Sequence, residues 1–152
     1  MRAHGSVFPP LAAPAAFAFL SDVRNETRWR ASIVDTGYLS DAPAALGTEG
    51  FTRAEMKGRS VQMPWRITAL IPGTCVEWTL TGGPWRGGGS CTVRSAPGGS
   101  EVDARLEVRF AGVLRAVEPL MAPAFRRGLR TDLARLAAVV ADLSPDRDNN
   151  DG

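Results

Sequence analysis

Residues 116–143 constrain this chain more than any other stretch, because their apolar side chains recur at helical spacing while almost everything before them alternates like a strand. Val117, Leu120, Met121, Ala124, Phe125, Leu129, Leu133, Leu136, Val140 and Leu143 form one stripe, with arginines and Asp132 in most of the gaps. At 1.5 Å per residue this helix would run roughly 40 Å and cross a whole small domain. A stripe of that length needs a large apolar partner. Its two halves are unequal in composition: Pro119 and Pro123 lack an amide donor, and Gly128 costs roughly 1 kcal/mol relative to alanine. The run from Leu129 to Leu143 is therefore expected to be the rigid part.

The partner is a sheet. Residues 2–11 read as a first strand that Pro9 and Pro10 interrupt. Pro14 suits the first turn of a short helix carrying Phe17 and Leu20; after a break at Ser21-Asp22, a second helical turn carries Trp29, its ring inward and Arg28 and Arg30 left in solvent. From Ser32 the period is two. Val34, Thr36 and Tyr38 share a face, a loop covers 41–46, and residues 47–56 put Thr48, Gly50, Thr52, Ala54 and Met56 on an uncharged face of unusually small side chains. That face predicts unfilled volume beside the sheet, which interiors tolerate when a ligand or solvent occupies it. Arg59, Val61, Met63, Trp65 and Ile67 form the next inward row, followed by Val76, Trp78 and Leu80, then Cys91 and Val93, then Val102, Ala104, Leu106, Val108 and Phe110. Glycine clusters around Trp85 predict a mobile turn with one exposed aromatic, usable as a contact for a protein partner. The result is an α+β chain: a seven-stranded antiparallel curved sheet, two short helices and a long C-terminal helix enclosing a cavity. Residues 1–143 are expected to be one domain and 144–152 a disordered tail.

Composition narrows the function classes. Of 18 basic residues all but Lys57 are arginine, and with abundant Ala, Gly and Pro this reads as the codon bias of a GC-rich bacterial genome. The basic residues alternate with acids, so no nucleic-acid partner is expected. A hairpin turning between Gly82 and Gly89 would set Cys75 opposite about Arg94 and Cys91 opposite about Trp78, so the two thiols should stay apart, consistent with a cytoplasmic protein. A single histidine, His4, leaves no zinc-ligand spacing, and neither a metal nor another cofactor is expected. Prolines break the apolar N-terminal run that would otherwise resemble a signal peptide, and no stretch approaches the ~18 apolar residues of a membrane span.

Several local motifs, in order, resemble the helix-grip superfamily of polyketide cyclases/dehydrases and START-like lipid-transfer domains (SRPBCC). They are Leu11-Ala12-Ala13-Pro14 before Phe17 and Leu20-Ser21-Asp22, then Trp29, Leu46-Gly47-Thr48, Ile67-Thr68-Ala69-Leu70-Ile71-Pro72, Glu118-Pro119-Leu120, Arg126-Arg127 and Asp132-Leu133-Ala134-Arg135-Leu136. The resemblance spans residues 3–143 and implies a cavity between sheet and helix that binds a hydrophobic, polyketide-like or lipid-like molecule. Members range from carriers to cyclases, so the resemblance alone implies no single reaction.

The candidate ligand-binding residues follow from the inward rows. Met63, Trp65, Trp78 and Phe110 offer a wall for a flat or acyl ligand. Tyr38, Thr48 and Thr52 are the inward polar groups able to orient a carbonyl or hydroxyl. Arg59, at the end of its row, is placed for a carboxylate at the cavity mouth. Residues 113–125 are the expected gate, with Met121 and Phe125 facing the ligand. The strand faces assigned inward carry almost no ionisable group, which leaves the catalytic residues unknown and a carrier, sequestering or sensing role open beside a cyclase. His4 lies near the chain end, Glu77, Asp103 and Glu107 face outward, and Glu118 is expected simply to sit well at a helix N-terminus.

Overall fold

The computed structural model describes residues 1–40, 44–56 and 58–144. Residues 41–43 of the expected loop, Lys57 and all of the expected tail beyond Ser144 lie outside the described residues; Ser144 itself donates its hydroxyl to the Pro10 carbonyl at 2.9 Å. In chain order come β1 (Arg2–Val7), α1 (Ala13–Ser21), a 3-10 turn (Val23–Asn25), α2 (Glu26–Trp29), β2 (Ile33–Tyr38), β3 (Glu49–Met56), β4 (Arg59–Ile71), β5 (Cys75–Leu80), β6 (Trp85–Ala96), β7 (Gly99–Phe110), a 3-10 segment (Gly112–Val117) and α3 (Glu118–Ala141).

The strands make one antiparallel sheet in the order β1-β7-β6-β5-β4-β3-β2. Successive hairpins generate this order from β2 to β7, and β1 closes it by pairing with β7. Two hairpins turn at Pro-Gly pairs, where Gly73 and Gly98 take φ values of 74° and 78° that other residues adopt with strain. The helix-grip arrangement is thus present: a curved sheet with two short helices at one end and α3 laid against its apolar face.

The C-terminal part of α3 is the anchor. Leu129, Leu133, Leu136 and Val140 are buried with Val93, Val102 and Ala104 of the sheet, and each buried side chain contributes roughly 1.5–3 kcal/mol. The approach to β1 is close: a Cβ on Gly5 would lie 2.7 Å from a methyl of Leu133. The N-terminal part of the stripe is different. Leu120 is 82% exposed and Val117 38%, and Pro123 interrupts the hydrogen-bond ladder inside the helix. The helix starts at Glu118, two residues later than the apolar spacing suggests, because residues 112–117 take the tighter 3-10 form.

β1 ends at Val7, just before the prolines expected to interrupt it. Three further expectations need correcting. Val34 does not share a face with Thr36 and Tyr38: a bulge between Ile33 and Asp35 reverses the alternation, so Ile33 is buried and Val34 is 48% exposed. In the β5–β6 hairpin Cys75 pairs with Thr92 and Cys91 with Val76; both thiols are free, as expected, although the register is not the expected one. The glycine-rich segment is no mobile turn. Gly87, Gly88 and Gly89 are strand residues of β6, and Trp85 is 9% exposed with its ring 5.9 Å from that of Phe110, so it presents no aromatic to a partner. The physical reason is space: a Cβ on Gly89 would lie 2.6 Å from the Trp78 indole, which the bare backbone accommodates.

Candidate functional site

A pocket of about 390 Å³ lies between the sheet and α3. Small inward residues on β3 do not leave all of their space empty. A Cβ on Gly50 would lie 2.2 Å from the Trp65 indole, its cross-strand neighbour, so part of the expected volume is a seat for that ring. Thr52, Ala54 and Met56 line the pocket from β3; Met63 and Trp65 line it from β4 and Trp78 from β5. Phe110, from the end of β7, closes one side together with Trp85. Met121 and Phe125, both half-buried, line it from the first turns of α3.

Tyr38 also lines the pocket, edge-on to Trp65 with ring centroids 6.1 Å apart. Its hydroxyl is engaged elsewhere: it accepts the Val23 amide at 3.1 Å and donates to the Ser21 carbonyl at 3.3 Å, which fixes the break between α1 and α2 to β2. Burial pushes the Tyr38 phenol above its ordinary value. Two residues of the expected set are not brought to the pocket. Thr48 is buried, but its hydroxyl accepts the Ala45 amide at 3.0 Å and so closes a turn. Arg59 is exposed at the start of β4 and lines no part of this pocket.

The largest departure from the sequence reading is a polar cluster on the helical side. Glu26 at the start of α2, Arg30 just past its end and Asp132 of α3 all line the pocket. The Arg30 guanidinium donates to Glu26 Oε1 at 2.9 Å and its Nε lies 3.9 Å from Asp132 Oδ2, with side-chain exposures of 21%, 15% and 14% for Arg30, Glu26 and Asp132. Arg30 is therefore not left in solvent. Thr52 extends the cluster across to the sheet, donating to Glu26 Oε2 at 2.9 Å and accepting the Trp65 indole N–H at 3.1 Å. Asp132 Oδ1 accepts the Ala31 amide at 3.1 Å. Burial nevertheless holds the Asp132 carboxyl above the ordinary aspartate value, against the opposing effects of that amide and Arg30. The strands bring no carboxylate or guanidinium to the pocket, but the helical side does.

One sequence signal pointed there. Asp132 lies three residues from Leu129 and four from Leu136, on the seam of the apolar stripe, where a carboxylate is out of place unless it has a partner. Glu26 and Arg30 have the i,i+4 spacing of a helical ion pair, in a helix too short to show periodicity.

The remaining groups are structural or external. Glu118 Oε1 accepts the Phe110 amide at 2.6 Å, tying the end of β7 to the start of α3. His4 and Asp103 meet at 2.5 Å away from the pocket. Cys91 lines the pocket as a neutral thiol, pushed up to about 12 by burial. Among the described residues no three His, Cys, Asp or Glu side chains group as metal ligands, and no helix is long and apolar enough to cross a membrane.

A family model described as polyketide cyclase/dehydrase and lipid transport matches residues 2–141. The chain belongs to this family. Its fold is that of the START-like SRPBCC superfamily. A protein of Thermus thermophilus superposes with a TM-score of 0.80 at 12% identity, over 95% of this chain and 99% of its own. The Zhui aromatase/cyclase from a Streptomyces species does so with a TM-score of 0.75 at 12% identity, over 97% and 98%. A START superfamily protein from Mycobacterium smegmatis gives 0.69 at 16% identity, over 94% and 99%. At such identities the likeness is one of fold. No curated protein matches the sequence.

Proposed function

We propose that this chain binds a hydrophobic small molecule in the pocket under α3 and acts as a biosynthetic protein of the polyketide cyclase/dehydrase type. The observation that carries this reading is a roughly 390 Å³ pocket walled by Trp65, Trp78, Met63 and Phe110, with a polar cluster of Glu26, Arg30 and Asp132 on its helical side. Aromatic walls suit a planar ligand by dispersion and offset stacking, while the polar cluster gives it a direction. Met121 and Phe125, on the weakly anchored start of α3, are the proposed gate. Two free thiols support a cytoplasmic setting.

Chemistry in such a site rests on holding a reactive chain in one folded shape and excluding water, with a polar group within reach of the atom that gains or loses a proton. The polar cluster favours this reading over the alternative, a non-catalytic carrier for a lipid or hydrophobic metabolite. Native mass spectrometry and product analysis with a reactive poly-β-keto substrate separate the two. Conversion to a cyclised product, slowed in Asp132→Asn, is expected. An unmodified co-purifying ligand with no conversion points to the carrier.

A further inference from the structure

The polar end of the pocket has a charge and a spacing that restrict what it takes. Arg30 brings one positive charge against the two carboxylates of Glu26 and Asp132, and Arg135 is a further cation acting on Asp132. Glu26 is committed at both oxygens, to Arg30 and to Thr52. Asp132 is committed at Oδ1 alone. Between Asp132 Oδ2 and Arg30 Nε the separation of 3.9 Å is too long for a hydrogen bond. One oxygen atom about 2.8 Å from each would bridge it, provided that it accepts from the guanidinium and donates to the carboxylate. A carboxylate cannot donate, and an ether or hydrocarbon cannot do both.

We infer that Arg30 and Asp132 form a subsite for a single hydroxyl, phenolic or enolic, on an otherwise flat and apolar ligand, and that the same subsite excludes ligand carboxylates. The inference rests on the pocket being a ligand site, and it deepens that reading by naming the group the ligand carries. It also gives the helical cluster a role that Tyr38 cannot fill, because the Tyr38 hydroxyl is spent on Val23 and Ser21.

Calorimetric titration with naphthalene, 2-naphthol and 2-naphthoate tests it, since the three share a ring system and differ at one substituent. 2-Naphthol should bind about tenfold more tightly than either of the others, as one bridged hydroxyl in a shielded site predicts. In Asp132→Asn the naphthol advantage over naphthalene should fall to about threefold or less and 2-naphthoate should gain affinity, because a carboxylate charge has gone; a merely structural role for Asp132 would weaken all three alike. Equal binding of naphthalene and 2-naphthol, or tightest binding of 2-naphthoate, overturns the subsite while leaving the pocket standing. Failure of all three to bind removes the pocket reading and the subsite with it. The comparison on the unmodified chain decides the matter even if the variant does not fold.

Discussion

The two ends of α3 belong to one continuous helix and yet do opposite things. From Leu129 to Val140 its apolar residues are core, with Leu136 at 0% exposure and Leu133 at 2%. From Glu118 to Phe125 the same stripe leaves Leu120 at 82% exposure and sends Met121 and Phe125 to a pocket wall instead of into close packing. Helical periodicity is the same in both; what differs is whether the sheet beneath comes close. Under Leu133 the sheet offers Gly5 and contact is tight, whereas toward the helix start the wall opens into the pocket. An amphipathic pattern therefore says which face turns inward and leaves open how much atom lies there.

The difference is measurable in order of size. Leu136→Ala removes a fully buried side chain and should cost about 2–5 kcal/mol in urea unfolding, while Leu120→Ala should stay within about 0.5 kcal/mol. Similar losses for the two would erase the comparison. Hydrogen exchange should then resolve the halves within the native state, with amides of residues 129–140 exchanging roughly 100-fold more slowly than those of 118–125. Equal protection would show α3 to be one rigid unit and would remove the proposed gate. The smallest effect is expected at the junction: Gly128 is helical and exposed, and a Cβ there would meet nothing within 4 Å, so Gly128→Ala should stabilise by about 0.5–1 kcal/mol. A destabilising result would mean that flexibility at this joint is part of the fold.

Much of this was legible in the sequence, for a physical reason. Alternation along β3, β4 and β7 records that one face meets water and the other does not, and the longer period of α3 records the same for a helix. The misses come where those periods carry no information. A bulge inserts a residue at Val34 without altering composition. Glycines at Gly87 to Gly89 read as a turn, because sequence does not display the Trp78 indole lying across Gly89. The polar end of the pocket was hidden because α2 has a single turn, and because Arg30, beside Trp29, reads as a solvated flank. Asp132 alone marked the place. Arg59 stands at the start of β4, and distance along the strand, which alternation does not encode, keeps it from the pocket; Thr48 precedes β3 and is taken up by a turn.

The central claim is that the space beneath α3 receives a ligand, and filling that space tests it most directly. Ala54 lies on β3, 3% exposed, with its side chain on the pocket wall. Titrating 2-naphthol into the chain and into Ala54→Phe, with circular dichroism to establish that both are folded, should give one-to-one binding to the first and none to the second. Undiminished binding to a folded Ala54→Phe would contradict the account.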